Sequence, residues 1–111
     1  MRVVLCLTTC PDRAGALRLA ATLIEERLAA CVNVLPGVSS VYRWRGAVEQ
    51  SEELQLFIKT THAQLAALKT RLRELHPYAV PELIVLDVAD GFPAYLAWVG
   101  ECVATDSMAA T

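Results

Sequence analysis

Hydrophobic positions recur along this chain with two different periods, and the switches between them mark out its elements. Residues 2–10 are nearly continuous apolar from Val3 to Leu7 and then pass through Thr8, Thr9 and Cys10 to Pro11; this run reads as a strand stopped by a residue that cannot donate to a ladder. Asp12 follows, placed to cap a helix by accepting a bond from a first-turn amide. Over residues 14–29, Leu17, Ala20, Ala21, Ile24 and Leu28 return every three or four positions, which predicts a helix with these five on its buried stripe.

After Cys31 the period shortens. Val32, Val34, Val38, Val41 and Tyr42 predict a strand, with a bend or bulge at Pro36-Gly37, where a donor is lost and φ is freed. A second extended run covers Leu54 to Thr61, and Arg45-Gly46 between the two can turn the chain as a long central hairpin. Residues 62–75 resume helical spacing through Leu65, Leu68 and Leu72 and end before His76-Pro77, because Pro77 lacks an amide donor and restricts His76. Leu83 to Val88 reads as a fourth strand, 92–102 as a helix packing through Tyr95, Leu96, Val99 and Cys102, and 107–111 as a loose tail.

This order predicts an α+β fold: a ferredoxin-like βαββαβ sandwich, helices on one sheet face, with an additional C-terminal helix and a long hairpin, in one domain over 1–111. A half-exposed strand alternates apolar and polar, yet Val3 to Leu7 and Leu83 to Leu86 are apolar on both faces. The face without helices is therefore expected to meet another subunit.

Composition narrows the partners. Ten basic and twelve acidic residues give a formal charge of -2, too little field to gather nucleic acid or an anionic membrane. No apolar run is long enough to span a bilayer, and the apolar opening meets Thr8, Thr9 and Asp12 too soon for a signal peptide. A cytoplasmic location with four free thiols is the expectation.

No glycine-rich nucleotide loop or RNA-reading aromatic motif is present. Cys6 and Cys10 share a strand face but stand about 13 Å apart when extended, too far to grip one small ion directly. Cys31 reads as a small buried hydrophobe or as a thiolate ligand, His62 as a surface residue at a helix start, and Cys102 as helix packing. A polar cleft is expected from Tyr42, Trp44 and Glu49 of the hairpin, Lys59-Thr60, His76-Pro77-Tyr78 and Pro81-Glu82. Tyr42 and Trp44 serve either hairpin packing or ligand contact, and Lys59 with Glu49 or Glu82 reads as an ion pair or as part of a site.

Several separated segments in order carry a family resemblance: Glu25-Glu26-Arg27-Leu28-Ala29-Ala30-Cys31-Val32-Asn33, Pro36-Gly37, Val41-Tyr42-Arg43-Trp44-Arg45-Gly46, Lys59-Thr60-Thr61, His76-Pro77-Tyr78-Ala79-Val80-Pro81-Glu82 and Tyr95-Leu96-Ala97-Trp98. Through them, over about residues 3–99, the chain strongly resembles the CutA divalent-cation tolerance family. The resemblance implies a ferredoxin-like homotrimer, locked by hairpins and sheet edges, and a role in tolerance of copper and other divalent metals. Copper ligands proposed in the family fall here on Thr8, Leu75 and His76, so only His76 is retained, with Cys10 a substitute donor two residues beyond Thr8. The functional expectation is a non-enzymatic, metal-binding or metal-responsive protein, with His76, Cys10 and Cys31 as candidate donors for copper or another divalent cation such as zinc. The alternative is a signalling module or enzyme binding a small anion at an intersubunit site through Lys59, His76 and aromatic walls.

Overall fold

The structure, a computed structural model, describes residues 1–104; the tail read as loose at 107–111 lies outside the described residues. Its elements are β1 (Val3–Cys10), α1 (Arg13–Glu25), β2 (Cys31–Trp44), β3 (Ala47–Thr61), α2 (Leu65–Leu75), β4 (Ile84–Asp87) and α3 (Pro93–Val103), with a 3-10 turn at His62–Gln64 leading into α2. The strands form one antiparallel sheet in the order β2-β3-β1-β4, the ferredoxin-like arrangement read from the sequence.

Helix α1 starts where its cap allows, with Asp12 Oδ1 accepting the Gly15 amide at 2.7 Å. It ends at Glu25, four residues before the expected end. Arg27 takes a left-handed φ of 58°, while the Leu28 amide donates to the Leu23 carbonyl at 2.9 Å and the Arg27 amide to Ile24 at 3.1 Å, a Schellman ending built without glycine. The buried stripe is also rotated from the one expected: Ala16, Leu19, Ala20 and Leu23 face the core, whereas Leu17 and Ile24 are exposed. In a helix this rich in alanine and leucine, two neighbouring stripes have almost the same spacing, and the deeper one wins because it meets the sheet.

The hairpin is longer than its apolar positions suggested. β3 begins at Ala47, because residues 47–53 pair only with β2 and have no core to fill. Its turn holds Arg45 at φ 51° and Gly46 at φ 83°, both positive as a two-residue hairpin loop requires. The expected irregularity is present: the β2–β3 register shifts between Leu35 and Val38, with Gly37 at φ 78°.

One core lies between the sheet and helices α1 and α2, where Val4, Cys6 and Cys10 of β1 and Leu54, Leu56 and Ile58 of β3 meet Ala16, Leu19, Leu23, Leu68 and Leu72. The opposite face carries a helix as well, correcting the expectation that helices cover one face only. Val99 and Val103 of α3 pack there with Val3 and Ala30. This cover stops short: Leu5, Leu7 and Phe57 on that face are half-buried, and Ile84 and Leu86 of β4 remain 50% and 47% exposed. The hairpin stretches the chain to 51 Å against 27 and 23 Å in its other dimensions.

Candidate functional site

Beyond the reach of α3, the same sheet face turns polar. Strand alternation puts Thr9 of β1 and Ser51, Glu53 and Gln55 of β3 on the side of Leu5 and Phe57. The 78–82 segment lies along one side of this floor and the hairpin residues Val41, Tyr42 and Trp44 along the other, enclosing a groove of about 650 Å³ that Ser40, Ala79, Val80 and Glu82 also line.

Hydrogen bonds pin the 76–82 segment although it has no regular secondary structure. The Thr8 hydroxyl donates to the Glu82 carbonyl at 2.7 Å, and Gln55 Nε2 donates to the Thr8 carbonyl at 2.9 Å. The Tyr78 hydroxyl donates to Glu53 Oε2 at 2.6 Å. His76 is 7% exposed and uses both ring nitrogens: Nε2 donates to the Thr9 carbonyl at 2.7 Å, and Nδ1 accepts the Tyr78 amide at 3.2 Å. A carbonyl partner requires Nε2–H and an amide partner requires a lone pair on Nδ1, so these contacts fix one neutral tautomer.

Glu53 is a buried acid that sequence reasoning passed over. Burial by itself would raise its carboxyl, but hydrogen bonds from Tyr78, Ser40 and Thr9 outweigh that and hold it below the ordinary carboxylate range. Burial first, and then the Glu53 carboxylate, push the Tyr78 phenol upward, so it stays a donor. The only signal in the sequence was Glu53 directly before the extended run that opens at Leu54, where a strand turns an acid toward one face.

The expected cleft is thus half assembled. Tyr42, Trp44, Tyr78 and Glu82 line the groove, and His76 braces it from behind. Glu49 stands across from Tyr42 but outside the lining. Lys59 is elsewhere: Nζ donates to Asn33 Oδ1 at 2.6 Å and lies 5.9 Å from the Tyr95 ring centroid, ten residues along β3 from Glu49. No ion pair joins Lys59 to Glu49 or Glu82 among the described residues, and its charge does not serve the groove.

The candidate metal donors do not converge within one chain. Cys10 belongs to the core between sheet and helices, and burial, followed by the Asp12 and Glu53 carboxylates, pushes its thiol up to about 11. Cys31 sits across from Lys59, and Lys59 from Leu5, on the opposite sheet face and five residues along β1 from the Cys10 rung. Among the described residues, no group of three or more His, Cys, Asp or Glu side chains is placed to hold a metal ion. A copper or zinc centre of ordinary coordination therefore does not fit a single subunit, whose one retained imidazole is already engaged at both nitrogens.

Comparison with known proteins returns one family. Residues 4–102 match the model of the CutA1 divalent ion tolerance protein. The divalent-cation tolerance protein CutA of Thermus thermophilus is 48% identical over 95 residues, covering 86% of this chain and 92% of that protein. Among solved structures, CutA from Xylella fastidiosa superposes with a TM-score of 0.90 at 46% identity, covering 92% of this chain and 98% of that one. The Archaeoglobus fulgidus protein, described as a periplasmic divalent cation tolerance protein CutA, gives 0.89 at 29% identity over 92% and 99%.

Proposed function

Because the chain belongs to the CutA1 divalent ion tolerance family, we propose that it serves divalent-cation tolerance as a non-enzymatic homotrimer in the cytoplasm. The observation that carries the assembly is the uncovered strip of Leu5, Leu7, Phe57, Ile84 and Leu86, which α3 leaves facing outward. An apolar sheet surface beside an unpaired edge strand favours association with further copies of the same chain. The four free cysteines support a reducing compartment; location is tested by fractionating cells and probing each fraction for the chain.

For the metal, copper or another divalent cation such as zinc is the proposed effector. Its contact with His76, Cys10 or Cys31 is weak and below one ion per chain, since the three donors are apart, His76 is engaged at both nitrogens and Cys10 is buried. Light scattering at micromolar concentration should give three times the 12.1 kDa chain mass, and a monodisperse monomer would sink the trimer. Calorimetric titration of the reduced, metal-free protein with copper and zinc, repeated for His76→Ala and Cys31→Ala, tests the second part. One tightly held ion per chain, lost in either variant, would refute weak binding.

A further inference from the structure

We propose that the cavity between the start of α1 and the end of α2 binds a short zwitterion, an ω-amino acid with an aliphatic spacer. The space, about 340 Å³, lies in the helix layer, on the other side of the sheet from Leu5, Leu7 and Phe57, so association through that strip leaves it open to solvent. Asp12, Gly15, Arg18 and Thr22 line it from one flank of α1, which they share because they recur every three or four residues. Glu26 continues this flank and accepts from Arg71 of α2 at 2.9 Å, so it is the flank turned toward α2. Leu75 and Pro77 form the opposite wall, and Cys10 and Leu19 of the core form the floor.

Two opposite charges border this space without meeting. Among the described residues neither Asp12 nor Arg18 is in an ion pair, and six residues of helix set them about 9 Å apart along the axis. Asp12 spends Oδ1 on the Gly15 amide at 2.7 Å, and a carboxylate has further lone pairs for a second donor. Glycine at position 15 leaves that carboxylate uncovered, since a Cβ there would stand 3.1 Å from Oδ1. The end of α2 at Leu75 adds the partial negative charge of a helix C-terminus on the same side. An ammonium is therefore favoured between Asp12 and the end of α2, and a carboxylate at Arg18. A simple cation or anion satisfies one end and is repelled by the other. Between the ends, Leu19, Leu75 and Pro77 present carbon to a spacer, and the buried Cys10 thiol, pushed up to about 11, stays neutral. An α-amino acid, with one carbon between its charges, is too short to reach both ends. Both charges are near water, so each is worth little, which points to millimolar affinity.

The test is an amide NMR titration of the native protein at low salt with 4-aminobutanoate, beside sodium butanoate and butylammonium chloride, which each keep one of its charges, and glycine, which keeps both without the spacer. The ω-amino acid should give saturable shifts centred on Gly15, Arg18 and Leu75, and each of the other three should bind at least about threefold more weakly, the scale of one screened charge pair. Asp12→Asn retains the helix cap, because asparagine caps as aspartate does, and should lower 4-aminobutanoate to the affinity of butanoate. Arg18→Gln should lower it to that of butylammonium. Circular dichroism and scattering mass on each variant establish that fold and assembly are unchanged. No saturation by 4-aminobutanoate, shifts centred elsewhere, equal binding of any of the three relatives, or folded variants that bind as the native chain does would each overturn the proposal.

Discussion

Replacing Tyr78 with phenylalanine removes one oxygen atom, and the structure fixes how the loss should depend on pH. The phenyl ring keeps its position 4.8 Å from His76, while Glu53 Oε2 loses a donor at 2.6 Å. Hydrogen bonds to an ionised group are worth roughly 1.5–3 kcal/mol, and Ser40 and Thr9 remain to support the carboxylate, so the cost at pH 7 should be about 1.5 kcal/mol. For a chain of this size that lowers Tm by about 6 °C. Glu53 has a folded pKa below its ordinary value, so its contribution is present above the unfolded carboxyl pKa and is lost as pH falls through the folded one. Phenylalanine removes part of that lowering; the difference between native chain and variant should therefore shrink as pH falls through the carboxyl range and Glu53 takes up its proton. Urea unfolding at pH 7 and 3.5, at one fixed protein concentration, measures both differences. Equal differences at the two pH values, or none at pH 7, would refute the assignment of Tyr78 as donor to a charged Glu53.

Three further outcomes are expected. Leu56→Ala, at a fully buried position in the core between sheet and helices, should cost about 3 kcal/mol by urea unfolding. Arg27→Gly should stabilise by about 0.5 kcal/mol, because the left-handed conformation costs an L-residue roughly 1–2 kcal/mol and glycine returns about half of that as unfolded-chain freedom; a lower urea midpoint would count against the Schellman ending. Cys6 and Cys10, buried and with thiols pushed up to about 11, should resist alkylation at pH 8 in the native protein and react only after unfolding, as mass-mapped labelling would show.

What the sequence made legible was whatever a period or a special backbone residue announces. Pro11, Pro36-Gly37, Arg45-Gly46 and Pro77 each punctuate the structure where expected, and Leu65, Leu68 and Leu72 turn inward as their spacing predicts. The face of α1 was misread because Leu17 and Leu19 are equally apolar, and which one goes inside is set by the sheet beneath. The first half of β3 was missed because a ribbon exposed on both sides has no apolar signature to display. At the site, the aromatic members were visible, but Glu53 was not, since its burial depends on Tyr78 arriving from 25 residues away. Lys59 and Glu49 were joined by charge alone, and strand register separates them.

The unequal pairing along β3 has a consequence for how the molecule comes apart. Residues 55–59 are paired with strands on both sides, whereas 47–53 have β2 as their only neighbour in the sheet. In the isolated chain the arm can fray from its turn while the body stays closed, so its backbone amides should exchange with solvent through local openings and those of β1 only through global ones. Its length is correspondingly free to drift. Deleting two cross-strand pairs near the tip leaves every remaining side chain on its original face, because facing repeats every second residue, and the helix-backed body would register no change.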